Sequence, residues 1–132
     1  MSYRVGLGVA VAGDASEIRF TDFGRECTVG IVLDSTAVDA ENEPTTTLRK
    51  GLVLGKVTES GKYKQYDALA EDGTETARLI LEDEVDLLDE SGTAADTEAL
   101  GTFRGDFIAE TLIGLDSAAK TALKGCSFDE DV

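Results

Sequence analysis

The sequence predicts a mainly β, α+β chain: a compact β-sandwich or barrel-like domain with a short C-terminal helix and an N-terminal strand-like arm. Three observations indicate it. Short runs of β-branched or alternating apolar residues recur between turns rich in glycine and aspartate. A single alanine-rich segment, residues 118–124, has helical composition. The chain has 132 residues, which fits one domain of ordinary size with its own core.

The first residues of the chain follow the period of an extended strand. Apolar side chains alternate there with small residues, and a period of two is typical of strands. A turn signal at Gly13-Asp14 and a second alternation over residues 17–23 predict either a hairpin or a free arm. The alternating apolar residues of the first run are Val5, Leu7, Val9 and Val11.

A strand and a polar loop are predicted next. Residues 27–33 form a β-branched apolar run, which favours a buried strand of about six residues. Residues 36–47 are polar, contain Pro44 and show no periodicity, so we interpret them as an exposed loop or linker. This loop predicts a division into an N-terminal arm and strand region, residues 1–47, and a core domain, residues 48–132.

The predicted core domain opens with a hairpin. Residues 52–58 and 63–66 are strand-like and flank a turn that contains Gly61. Residues 76–81 are apolar enough to predict a central strand, and residues 99–107 continue in an extended pattern after a surface loop.

One helix is predicted near the C-terminus. Asp116 or Ser117 can cap residues 118–124, whose alanines favour a helix and whose lysines lie near its C-terminal end. Gly125 is expected to end this helix. Residues 129–132 are predicted to be solvated.

Two tyrosines follow the predicted turn at a spacing of three. In a strand, Tyr63 and Tyr66 would point to opposite faces. Core packing is the expected role of at least one of them. The functional alternative is that they anchor a contact between subunits.

The composition argues against most catalytic and metal chemistry. The chain has no histidine, which excludes Ser-His-Asp and Cys-His catalysis and His-type metal sites. Cys27 and Cys126 lie far apart in sequence and are expected as thiols in a reducing cytosol. The acidic run at residues 82–86 is interpreted as solvated surface. We therefore predict no catalytic residue, no metal site and no cofactor.

The charge balance argues against nucleic-acid binding. With 27 acidic and 12 basic residues, the chain has a formal net charge of −15, which repels a phosphate backbone. No stretch approaches the roughly 18 apolar residues of a membrane span, and the start lacks the apolar core of a signal peptide. We expect a protein made in the cytosol, with no nucleic-acid, membrane or small-molecule partner.

The stretch from Lys50 to Asp67 carries a more specific pattern. It reads KGLVLGKVTESGKYKQYD, with Leu-Gly-Lys, a β-branched residue and Thr, then Ser-Gly and the two tyrosines. This pattern resembles the lambda-type bacteriophage head decoration proteins. The resemblance continues through Asp72-Gly73-Thr74 to residues 83–86 and, more loosely, to residues 103–107 and the terminal helix.

The resemblance implies a structural virion protein without enzymatic activity. Members of that family form homotrimers over the three-fold positions of the expanded capsid, bind the major capsid protein and resist the pressure of packaged DNA. The implied location is the capsid exterior, with assembly in the host cytoplasm. Family members contact the capsid largely through N-terminal segments. Together with the strand pattern, this assigns the capsid contact to Tyr3, Arg4, Val5, Leu7, Val9 and Val11.

Two other functions stay open at this point. One is an outward-facing adhesion or binding module of the virion. Arg104-Gly105-Asp106 matches a known adhesion sequence, but we interpret it as structural because it lies within a predicted strand. The other is a small carboxylate-based enzyme, which would require a pocket that holds two convergent acids.

Overall fold

Nine short strands and one α-helix build the fold in a computed structural model that describes residues 18–129 apart from 20, 22 and 25. In chain order the elements are β1 (Thr28–Leu33), β2 (Thr47–Leu48), β3 (Val53–Lys56), β4 (Tyr63–Gln65), β5 (Ala77–Leu81), β6 (Val85–Asp86), β7 (Thr97–Thr102), β8 (Gly105–Ile108), a 3-10 turn (Ala109–Thr111), α1 (Ser117–Ala122) and β9 (Cys126–Asp129).

Five of these strands close into a barrel in the order β1-β4-β3-β5-β7. The other four form two small two-stranded sheets, β2 with β6 and β8 with β9. The prediction of a mainly β domain with a short C-terminal helix is therefore confirmed, and the barrel is the form it takes. The predicted hairpin is also confirmed, because β3 and β4 pair antiparallel on either side of the turn at Gly61.

The barrel is unevenly closed at β1. On one side β1 pairs with β7 along its whole length, from Thr28 opposite Thr102 to Leu33 opposite Thr97. On the other side its pairing with β4 consists of the single pair Leu33–Tyr63, in parallel orientation. The β1–β4 junction is therefore the weak seam of the barrel.

Two apolar clusters make up the core. The strand β5 contributes to both, because Leu79 and Leu81 pack into one cluster and Ile80 into the other. A strand buried on both faces has a nearly continuous apolar sequence, as β5 does. The first cluster holds Ile18, Val53, Tyr66, Ala77, Ile80, Phe107, Leu112, Ala119 and Leu123. The second holds Ile31, Leu33, Ala37, Leu48, Leu52, Leu54, Leu79, Leu81 and Leu87.

The helix begins as predicted and ends differently. The Asp116 carboxylate accepts a hydrogen bond from the Ala119 amide at 2.8 Å, which confirms the predicted cap. At the other end Leu123 is the capping residue. Gly125 is needed for a different reason: a Cβ at that position would lie 2.8 Å from the Phe103 carbonyl oxygen.

The predicted exposed loop at residues 36–47 is in part an internal element. Asp39 has only 1% of its surface exposed, and its carboxylate receives two side-chain hydrogen bonds from Arg49, at 2.8 and 2.9 Å. Ala37 is also buried, in the second cluster. The expectation of an exposed loop or linker was wrong for these two residues, because an ion pair ties Asp39 to Arg49 at the end of β2 and Ala37 packs in the core.

The predicted division of the chain after residue 47 stays a prediction. The strand that it assigned to the N-terminal region is β1, and β1 is an integral barrel strand. The predicted arm before it lies outside the described residues. At the C-terminal end, β9 pairs in parallel with β8 and includes Asp129, and residues 130–132 of the tail predicted to be solvated lie outside the described residues. None of the helices in the described chain has the length and apolar character needed to cross a membrane.

Candidate interaction site

A cleft of about 770 Å³ lies beside the seam of the barrel. It forms because β1 and β4 pair only through Leu33 and Tyr63. The rest of this edge of β1 therefore faces the turn between β3 and β4. Its walls include Val29, Gly30, Val32, Lys56, Tyr63, Glu98 and Leu100. We call this space the seam cleft.

The edge of β1 presents backbone groups to the seam cleft. The Asp34 amide donates to the Tyr63 carbonyl at 2.9 Å, so the backbone of Asp34 is directed towards β4. Backbone groups alternate in direction along a strand, and those of Gly30 are therefore directed into the cleft. A Cβ at Gly30 would meet no atom of the described residues within 4 Å. The centre of this edge is open enough to receive another chain.

Among the described residues, five large apolar side chains are exposed on the β1–β7 ribbon and near the end of it that holds Cys27 and Phe103. Each of the five has 38–56% of its surface exposed. The Phe103 amide donates to the Cys27 carbonyl, which places this phenylalanine where the ribbon ends. Val29 and Val32 are three positions apart in β1, so they lie on opposite faces of the strand, and the exposed side chains do not all share one face. The side chains are Phe23, Val29, Val32, Leu100 and Phe103.

Asp96 forms hydrogen bonds beside the end of β1 that meets β4. Its carboxylate accepts from the Lys62 ammonium at 2.6 Å and from the Ser35 amide at 2.8 Å. The hydrogen bond from Lys62 holds the pKa of Asp96 below its usual value, and the same bond raises the pKa of Lys62. The ion pair thus ties the end of β1 to the β3–β4 turn on the exposed surface.

The two tyrosines have different roles in the folded chain. Tyr63 is half-buried, lies on the wall of the seam cleft and packs against the second cluster. Tyr66 is 9% exposed and belongs to the first cluster, with its hydroxyl donating to the Asp116 carboxylate at 3.0 Å. Burial, followed by this hydrogen bond, raises the pKa of Tyr66. The prediction that at least one tyrosine packs in the core is confirmed.

Arg19 anchors the segment that precedes the barrel. Its guanidinium, within a residue only 4% exposed, donates to Glu82 and to the Thr102 hydroxyl, both at 3.1 Å. It also lies 5.0 Å from the centre of the Phe107 ring, a cation–π distance. The expectation that the acidic run at 82–86 is solvated was wrong for Glu82, because this carboxylate pairs with a buried arginine.

Gly105 and Asp106 of the Arg104-Gly105-Asp106 tripeptide are part of β8 in the small β8–β9 sheet. The Asp106 carboxylate accepts hydrogen bonds from Thr21, at 2.8 Å, and from Ser127. The bond from Ser127 and then that from Thr21 lower the pKa of Asp106. The aspartate therefore serves the contact between the N-terminal segment and β9, which disfavours the adhesion alternative.

Groups suited to metal or thiol chemistry are sparse in the described part of the chain. Among residues 18–129 without 20, 22 and 25, no cluster of three or more His, Cys, Asp or Glu side chains could hold a metal ion. Cys27 and Cys126 are free thiols. Burial raises the pKa of Cys126 to about 11, which leaves its thiol protonated and unreactive at neutral pH.

The site residues predicted in the arm are Tyr3, Arg4, Val5, Leu7, Val9 and Val11, and all lie outside the described residues. The seam cleft and the Arg19 anchor were not predicted. An arginine within the alternating run at 17–23 was the one sequence signal for the anchor, since a charge in such a run requires a partner when it is buried.

A family model described as bacteriophage lambda head decoration protein D matches residues 25–126, which include β1 to β8, the helix and the first residue of β9. A search of curated proteins found no match.

Proposed function

We propose that this chain, which belongs to the bacteriophage lambda head decoration protein D family, binds the major capsid protein on the outside of the expanded phage head, at three-fold positions. Membership of the family implies a structural role on the virion capsid and makes enzymatic activity improbable. The observation that supports the proposal most strongly is the length of the family match, which spans 25–126 and hence the whole barrel.

The proposed capsid contact is made by the N-terminal residues. The alternation of Val5, Leu7, Val9 and Val11 suits a strand that adds to the edge of a capsid sheet. Each main-chain hydrogen bond of such a strand contributes roughly 1 kcal/mol net, so one arm binds weakly. Three arms of a homotrimer act together through a high effective concentration, which converts weak contacts into stable attachment.

The Arg19 anchor supports this role mechanically. The described chain starts at Ile18, whose carbonyl accepts from the Ile108 amide at 2.8 Å, and Arg19 follows with its ion pair to Glu82. A pull on the N-terminal residues is therefore transmitted directly to β8 and to the end of β5. A protein that resists the pressure of packaged DNA requires such a stiff connection between contact segment and body.

The charge of the chain suits an outward-facing position. A net charge of −15 keeps the exposed surface soluble and repels nucleic acid, including DNA released from neighbouring particles. In this proposal the protein acts without a cofactor or small-molecule substrate, and its other partners are further copies of itself. Neither nucleic acid nor membrane takes part.

Cosedimentation with phage shells tests the proposal. The full-length chain is expected to sediment with expanded shells that lack a decoration protein. It is expected to stay in the supernatant when mixed with precursor shells. Deletion of residues 1–12 should abolish pelleting, whereas replacing residues 130–132 by neutral residues should not. A full-length chain that pellets with neither shell, or a deletion variant that still saturates expanded shells, would contradict the proposal.

A further inference from the structure

We propose that in the free chain residues 5–11 lie as an extra strand along the open edge of β1, inside the seam cleft, and that a capsid has to displace them from this cleft. Docking is a property of the chain on its own. Its effect on capsid binding rests on the proposed function, because the docked residues belong to the segment that is assigned to the capsid contact.

The inner face of β1 is uncovered beside the seam. Val29 has the same side-chain direction as Ile31 and Leu33, because side chains alternate along a strand. Ile31 and Leu33 are buried in the barrel, whereas Val29 is 41% exposed. Among the described residues, only the pair Leu33–Tyr63 joins β1 to β4. At the level of Val29 the barrel therefore has room for a further strand, which would bury this valine.

The backbone of β1 is unpaired at the same place. The amide and carbonyl of Gly30 are directed into the cleft, and no strand of the described residues pairs with them on this side. An unpaired edge of this kind is a template for another strand. The open stretch of β1, residues 29–32, is about 10 Å long. A strand of about four residues that follows it would satisfy the Gly30 groups.

The charges of the cleft favour an uncharged occupant. Lys56 and Glu98 both lie on the cleft wall, so its lining residues have no net charge. A charged segment would place its charge beside a like charge at one of these two groups, which disfavours binding. Residues 5–13 form the longest stretch of this sequence without a charged side chain. They are therefore the part of the chain best suited to this cleft.

The side-chain pattern of the segment fits the same position. Branched apolar residues occupy every second position from Val5 to Val11, and the positions between them hold only glycine and alanine. In a strand beside β1, the branched face would cover Val29 and extend the second cluster, to which Ile31 belongs. The small face would lie on the outer side. A shift by one residue would expose the branched side chains, so burial fixes the register.

The described chain begins close enough for the segment to reach the cleft. Arg19 pairs with Glu82 at 3.1 Å, and the Glu82 amide donates to the Leu100 carbonyl at 3.0 Å. Leu100 lies on the cleft wall and opposite Gly30 in the β1–β7 pairing. Residues 12–17 span about 20 Å when extended. This connection is long enough to lead from the Arg19 anchor to the wall of the cleft.

Two substitutions in the full-length chain separate the partners of this contact. Leu7→Asp places a charge on the face that is to be buried, and Gly30→Glu fills the cleft from β1. Gly30 is exposed and a Cβ there meets no described atom, so the fold should tolerate the change. The matched controls are Leu7→Ile, which keeps a branched apolar side chain, and Ala118→Glu, on the exposed face of α1. Circular dichroism and melting temperature verify folding of each variant.

Nuclear magnetic resonance of the full-length chain tests the docking. We expect nuclear Overhauser contacts between the methyl groups of residues 5–11 and the protons of Gly30, and their loss in both variants but in neither control. The Gly30 amide should exchange with solvent about tenfold more slowly in the unmodified chain than in Leu7→Asp. The Asp34 amide, which donates to the Tyr63 carbonyl, should exchange equally in both chains and is the internal reference.

Binding to expanded shells tests the regulatory effect. Gly30→Glu frees the N-terminal segment without altering it, so this variant should bind shells about tenfold more tightly than the unmodified chain. Leu7→Asp alters the segment itself and should bind more weakly. If Gly30→Glu binds shells no more tightly than the unmodified chain, the cleft does not regulate capsid binding.

Three results in the free chain would overturn the docking. The methyl groups of residues 5–11 could contact residues 17–23, which is the hairpin alternative. In a mixture of labelled and unlabelled chains, the contacts to Gly30 could arise between different copies. The Gly30 amide could exchange equally fast in the unmodified chain and in Leu7→Asp. These measurements need no capsid, so a chain that docks its segment but ignores shells would contradict the proposed function and the regulatory effect, and leave the docking intact.

Discussion

Arg19 and Glu82 form the most buried ion pair described in this chain, and they join the N-terminal segment to the barrel. The guanidinium is shared between Glu82, the Thr102 hydroxyl and the Phe23 carbonyl. Removing one member of a buried pair leaves an uncompensated charge, whereas replacing both members with apolar residues is often nearly neutral. This asymmetry makes the pair testable.

Arg19→Met is expected to lower the free energy of unfolding by about 3 kcal/mol, because the Glu82 carboxylate and the Thr102 hydroxyl lose their donor. Urea denaturation followed by circular dichroism measures the change. The double variant Arg19→Met, Glu82→Leu should recover part of the loss. Equal stability of Arg19→Met and the unmodified chain would show that the ion pair does not anchor this segment.

Asp39 makes the folding stability of the chain depend on pH. Burial raises the pKa of Asp39, but the hydrogen bonds and the charge of Arg49 outweigh it and hold this pKa below its ordinary value of 3.8. A pKa that is lower in the folded than in the unfolded state adds stability above the unfolded value. That contribution disappears as the pH falls through the folded value.

Asp39→Asn should therefore be less stable than the unmodified chain at pH 7, by about 1.5 kcal/mol, because Arg49 loses its charged acceptor. The difference should narrow as the pH falls below about 3.8, where the aspartate of the unmodified chain becomes protonated. Urea titrations at several pH values measure it. A difference that stays constant from pH 7 to pH 2 would exclude this linkage.

At the level of elements, the short helix α1 depends on its N-cap residue, Asp116, and on Tyr66, which contacts that residue. Asp116 caps the helix through the Ala119 amide and also accepts from the Tyr66 hydroxyl. Because the helix has only six residues, its stability comes from these contacts and from the burial of Ala119 and Leu123.

Asp116→Ala is expected to lower the free energy of unfolding by about 2 kcal/mol, since both the cap and the tyrosine hydrogen bond are lost. Tyr66→Phe should lose only the hydrogen bond, about 1 kcal/mol. Thermal unfolding of both variants and of the double variant gives the coupling between the residues. Additive losses in the double variant would mean that the two side chains do not interact.

Elements with clear periodicity were the ones that could be predicted from sequence. The β-branched run of β1, the glycine turn between β3 and β4, the apolar β5 and the capped helix all carry strong local signals. The two-residue strands β2 and β6 are too short to show a period. The missed strand β9 did carry a signal, because Cys126 and Phe128 alternate with Ser127, but the acidic tail obscured it.

For the whole molecule, the sequence predicts class and family better than it predicts contacts. The family pattern at residues 50–67 lies in one continuous stretch of sequence, so it can be recognised without a structure. Arg19 and Glu82 are separated by 63 positions, and the seam cleft depends on how β1, β4 and β7 are paired. Such long-range pairings are determined by the closed barrel as a whole, so no short window of sequence reveals them.

Cryo-electron microscopy of expanded heads saturated with this chain tests the central claim most directly. The account predicts added density on the outer surface at the three-fold positions, with three copies joined around each axis and their N-terminal segments in contact with the shell. Heads without added density, or with density away from the three-fold positions, would contradict it.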